Sequence, residues 1–176
     1  MNLVTGAPVW LAGLLVLTLI AAIVEDVSRL RISNVTCGAV LIEALVAIAV
    51  EGFSPGLWQN VVALACVLAA GTLLFSAGLL GGGDVKLLAA LAFWLDLSHL
   101  VWLVAAVFIA GGIVALVYIG AGLAISAARG VRRKDRRIPY GIAIAAGALF
   151  VFAFQRPEIA GSERPLPAIR IMHPVR

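Results

Sequence analysis

Residues 57–80 read LWQNVVALACVLAAGTLLFSAGLL, and residues 81–86 continue GGGDVK. The first run carries no charged side chain and exceeds the roughly 20 residues an apolar helix needs to cross a bilayer. Working outward, five more apolar segments appear: 8–24, 35–50 interrupted by Glu43, 85–95, one within 98–128, and 141–154. Hydrophobic residues make up 63% of the 176 and charged ones 12%, against roughly a quarter charged in soluble proteins. Mean hydropathy is +1.12. This is the pattern of an all-α, polytopic membrane helix bundle with about six transmembrane helices. The fourth and sixth segments fall short of a full crossing, so packing must shelter their ends. A variant reading fuses the fourth segment across Asp96 and splits the fifth at Gly111-Gly112.

Several function classes drop out. The pI of 9.7 suggests nucleic acid, but the basic residues flank apolar spans, which marks membrane orientation instead. No nucleic-acid partner is expected; the lipid bilayer is. Cys37 and Cys66 stand alone in apolar stretches with no C-x-x-C, and no His/Cys cluster has ligand spacing, so no metal or cofactor is expected. No basic segment precedes residues 8–24, which reads as a permanent span rather than a cleaved signal.

Basic residues set the orientation. Arg29 and Arg31 follow the first span and Lys86 the third. Arg129, Arg132, Arg133, Lys134, Arg136 and Arg137 follow the fifth, while 51–56 and 96–99 hold no Lys or Arg. The basic side should be cytoplasmic. That puts the N-terminus outside, along with residues 155–176, which hold four further arginines. Residues 1–154 read as one membrane-embedded domain, and 155–176, with four prolines and no helical period, as a poorly ordered tail.

Chemistry gathers at the cytoplasmic ends. In Gly81-Gly82-Gly83-Asp84-Val85-Lys86, three glycines allow a sharp turn and close backbone approach. The plain reading makes Asp84 the N-cap of the next helix and lets Lys86 reach to the interface. Asp26, in Glu25-Asp26-Val27-Ser28-Arg29-Leu30-Arg31-Ile32-Ser33-Asn34, lies at the same depth; its plain reading is an ion pair with Arg29 or Arg31. Two acids at one depth suggest more. A carboxylate near hydrocarbon costs on the order of 2.5–3.5 kcal/mol at mid-span and less near the interface. Two carboxyl groups held together share a proton, so one can activate water while the other polarises a carbonyl. Arg136-Arg137-Ile138-Pro139-Tyr140-Gly141 opens the last span as a turn with a basic anchor. Glu43, mid-span, must face protein or water. Glu25 points about 100° around the helix from Asp26 and is not cast as catalytic. Asp96 and His99 read as a loop and helix cap on the outer side.

Together these elements resemble the type IV prepilin peptidases, membrane aspartic peptidases of the GxGD type. The resemblance covers roughly residues 8–154. It rests on Gly81-x-Gly83-Asp84-x-Lys86, on Asp26-(x)5-Ile32-x-Asn34, and on Pro139-Tyr140-Gly141 before the final span. Ser33 departs from the family, which commonly has Pro there, and this should loosen the turn after Asp26. The resemblance implies an aspartic endopeptidase with Asp26 and Asp84 as catalytic residues. Gly81, Gly83, Lys86, Asn34, Pro139, Tyr140 and Gly141 would support them. It implies a multi-pass protein of the bacterial inner membrane, with pilus assembly machinery as a further partner. The substrate would be a prepilin with a basic leader ahead of an apolar helix, cut after a Gly at the cytoplasmic face. Without paired C-x-x-C motifs or an N-terminal cytoplasmic domain, the chain is similar to the short, peptidase-only forms that serve tight-adherence (Flp) pili. Two other classes stay open: a small proton- or ion-coupled transporter, favoured by Glu43, and a non-catalytic subunit of a secretion machine in which Asp84 only caps a helix.

Overall fold

The computed structural model describes residues 1–129 and 140–155, with side chains to residue 121 in the first stretch. Among these residues all regular structure is helical: α1 (Leu3–Gly6), α2 (Val9–Arg29), α3 (Asn34–Glu51), α4 (Leu57–Ser76), α5 (Gly82–Ala92), α6 (Leu97–Arg129) and α7 (Tyr140–Gln155). The six longer helices fall on the six apolar segments. α2, α3, α4 and α6 are long and apolar enough to cross a membrane. The variant reading fails at both points: α5 ends at Ala92 and α6 runs unbroken through Gly111-Gly112.

The 11-residue α5 survives because it is the core of the bundle. Val85, Leu87, Ala89, Ala90, Leu91 and Ala92 are buried, and the turn after them, Phe93-Trp94-Leu95, is buried too. A helix end at membrane depth leaves carbonyls that lipid cannot satisfy. Here the chain satisfies them itself. Asn60 of α4 donates to the Phe93 carbonyl at 2.9 Å, and the Leu3 amide donates to the Trp94 carbonyl at 3.0 Å. The Trp94 indole donates to the Val40 carbonyl at 3.1 Å. The short α1, capped by Asn2, thus closes this end of the bundle, helped by a hydrogen bond from Asn60 to the Met1 carbonyl at 2.9 Å.

At the opposite end, α2 terminates with Leu30 in the left-handed region (φ 52°), its amide donating to the Asp26 carbonyl at 2.8 Å. The chain then turns through Ile32 into α3. α6 and α7 form the most extensive helix pair. A methyl at Gly147 would stand 2.8 Å from the Val107 amide nitrogen, so glycine is what lets the two backbones approach this closely.

Candidate active site

Both acids singled out in the sequence lie at the end of the bundle where α2 stops and α5 and α7 start. Asp26 is 4% exposed. It makes no ion pair with Arg29 or Arg31, because its carboxylate turns inward, away from the interface. Oδ2 accepts from the Ile142 amide at 3.3 Å, at the N-terminus of α7, where free amides and the helix dipole favour negative charge.

Asp84 is not the N-cap that its position after the glycines suggested. Gly81 takes that place with extended backbone (φ −76°, ψ 147°). Asp84, three residues in, reaches back to accept from the Gly81 amide at 3.2 Å, the acidic half of a capping box. The helix gains its cap, and the carboxyl is held at the mouth of the turn.

Ile32 joins the two. A methyl at Gly83 would stand 2.8 Å from the Ile32 carbonyl oxygen and 3.2 Å from its amide nitrogen. One at Gly141 would stand 2.8 Å from Ile32 Cδ1 and 2.7 Å from Asp26 Oδ2. Two glycines from distant parts of the chain therefore press on one residue. A side chain at Gly83 would press α5 away from the backbone of the α2–α3 turn, and one at Gly141 would press on the Asp26 carboxylate and the Ile32 side chain.

The remaining motif residues divide. Lys86 Nζ donates to Asn34 Oδ1 at 2.8 Å, tying α5 to the start of α3, so Lys86 is spent on a partner rather than stretched along the interface. Tyr140 opens α7 half-buried. Pro139, like the basic run 129–137 beyond Arg129 and the tail beyond Gln155, lies outside the described residues.

Sequence reasoning missed part of the support. Glu25 Oε2 accepts from the Ser33 amide at 2.8 Å and from the Thr36 hydroxyl at 2.9 Å. Ser33 Oγ accepts from the Thr36 amide at 3.1 Å, capping α3. The one signal for this was Ser33 itself: a proline there would have no N–H to give Glu25. Far from loosening the turn, Ser33 fastens it. Cys37 adds a weak Sγ contact to the Gly83 carbonyl at 3.6 Å.

Other polar residues are elsewhere. Asp96 and His99 pair at 2.6 Å at the opposite end, Asp96 capping α6. Glu43 is buried, accepting from the Thr18 hydroxyl at 2.6 Å, which fixes α3 against α2.

A model of the type IV leader peptidase family matches residues 13–116, a stretch that contains Asp26, Ile32, Asn34, the glycine turn, Asp84 and Lys86. No curated protein and no solved structure matches the chain. With that match covering more than half of its length, the chain belongs to the type IV leader peptidase family.

Proposed function

We propose that the chain is an aspartic endopeptidase in which Asp26 and Asp84 together activate water against the peptide bond of a prepilin. The observation that carries this is the convergence of both acids on Ile32, through Gly83 and Gly141, at one end of the bundle. One carboxylate takes a proton from water, and the water oxygen bonds to the carbonyl carbon. The other, protonated, hydrogen-bonds the carbonyl oxygen as charge develops there. Collapse of the tetrahedral intermediate breaks the C–N bond, with a proton passing to the departing nitrogen. Gly81, Gly83 and Gly141 let backbones approach, Lys86 and Asn34 lock α3 to α5, and Pro139 and Tyr140 lead into α7.

The substrate is a prepilin of the Flp kind, cut after a Gly between its basic leader and apolar helix. The excess of Lys and Arg at the dyad end supports placing the cut at the cytoplasmic face of the bacterial inner membrane. Residues 1–154 are the working domain, and 155–176 an appendage to it. Pilus assembly machinery is the setting this activity implies.

Asp26→Asn and Asp84→Asn, each co-expressed with a prepilin and followed by the mobility shift on leader removal, test the pair. Each should lose cleavage roughly 10²–10⁴-fold while accumulating in the membrane like the parent. The double variant should be no worse than either single. Asn retains most capping capacity, so wild-type cleavage by Asp84→Asn would leave Asp84 as a helix cap only.

A further inference from the structure

Between α4 and α6 the bundle is open. α4 packs along α5 and α6 along α7, but α4 and α6 themselves meet only sparsely. The gap is a groove of about 610 Å³, walled by Ala70 and Leu74 of α4 and by Phe108 and Gly112 of α6, with Leu88 and Ile144 on its floor. Among its lining residues that are described, Tyr140 alone carries a polar side-chain atom. Filled with water, such a space would hold on the order of 20 molecules at about 30 Å³ each, with one phenol to bond them. Its occupant must be apolar.

Two features choose between a lipid tail and a helix. The first is where the groove ends. Leu80, Val85 and Tyr140 form that end, and each adjoins a residue of the site: Gly81, whose amide holds Asp84; Asp84 itself; and Gly141, which presses on Asp26. The groove thus ends one residue along the chain from Gly81, Asp84 and Gly141. The second is shape. The groove follows α6 from Val104 to Ala115, about 16 Å at 1.5 Å per residue, roughly half the hydrocarbon thickness. A methyl at Gly112 would meet nothing within 4 Å, so α6 offers there the bare surface on which membrane helices approach closely.

We infer that the α4–α6 groove seats the apolar helix of the substrate, its leader-proximal end at the dyad, so that the peptide bond just outside the membrane is delivered to the acids. This rests on the reading of Asp26 and Asp84 as the catalytic pair.

Gly112→Trp tests it: a Cβ there meets nothing within 4 Å, and the indole would project into the groove that Gly112 lines. Val117→Trp, on an exposed part of α6, is the control. With a purified prepilin carrying its apolar helix, Gly112→Trp should lower kcat/KM at least tenfold, chiefly through KM, and Val117→Trp should leave it unchanged. A photoreactive residue at 112 should also crosslink to the prepilin helix, and one at 117 should not. Cleavage by Gly112→Trp within twofold of the parent would overturn the proposal. So would a probe at 112 that captures only lipid, since acyl chains would then fill the groove. The two readings fail separately: an active Asp84→Asn removes the catalytic pair, while the crosslink at 112 in the parent still reports on the groove.

Discussion

At the scale of single residues, the two glycines that face Ile32 carry as much of the site as the acids do. In a helix, Ala is favoured over Gly by about 1 kcal/mol, so Gly83→Ala would ordinarily stabilise α5. Here the added methyl would stand 2.8 Å from a backbone carbonyl oxygen, which cannot swing aside as a side chain can. Gly141→Ala would force a methyl to 2.7 Å from Asp26 Oδ2. Both variants should accumulate in the membrane yet lose prepilin cleavage tenfold or more. Gly38→Ala, with nothing within 4 Å of its methyl, should cleave normally and resist heating in detergent slightly better. Equal activity in all three would mean that Ile32 gives way and that the close approach has no catalytic consequence. The positions of the acids were legible in the sequence, because a charge at the end of an apolar run stands out. That Gly83 and Gly141 meet at Ile32 was not, because it depends on three segments far apart in the chain coming together.

At the scale of elements, the turn between α2 and α3 decides where Ile32 sits. Leu30 holds the left-handed conformation without being glycine, at a cost of roughly 1–2 kcal/mol, so the surrounding bonds must fix it. Glu25 supplies them through Ser33 and Thr36. Glu25→Ala should therefore reduce cleavage several-fold, while Glu25→Gln, whose amide oxygen still accepts, should retain most of it. Ser33 has φ −74°, close to the value proline imposes, so Ser33→Pro fits the turn but deletes the amide that Glu25 holds, along with the Oγ that caps α3. On that background Glu25→Ala should cost less than it does alone, a coupling that a double-mutant cycle on cleavage rates would read. Strict additivity would show that Glu25 acts elsewhere. The six long helices were legible from runs of apolar residues. This turn was not, since its partners lie eight and eleven residues apart across a break in the helix. Nor was α1, since four residues cannot display a period.

At the scale of the molecule, the helices alternate in direction, so their connections sort onto two ends. The end with Asp26 and Asp84 gathers Arg29, Arg31 and Lys86; Arg129 ends α6, and the sequence that joins α6 to α7 adds five more basic residues. The other end, where Met1, Asn60 and Phe93 meet, has no Lys or Arg in residues 51–56 or 96–99. Cytoplasmic loops retain Lys and Arg, so the dyad end should face the cytoplasm, the side on which a basic leader would be held back. The four arginines of residues 156–176 oppose this, but they follow the last span, whereas the loop bias is spread over three connections. Labelling decides it. With Cys66, which is exposed, replaced by Ala, Phe53→Cys and Arg31→Cys would each place a thiol at one end; Phe53 is 88% exposed, and Arg31 is exposed as well. A membrane-impermeant maleimide added outside the inner membrane should modify Phe53→Cys at once, and Arg31→Cys only after the membrane is opened. The reverse pattern would turn the carboxyl pair outward, away from any leader retained in the cytoplasm. A peptidase so oriented could meet that peptide bond only after the basic leader had crossed the bilayer, at a cost of on the order of 2.5–3.5 kcal/mol for each Lys or Arg taken to mid-membrane.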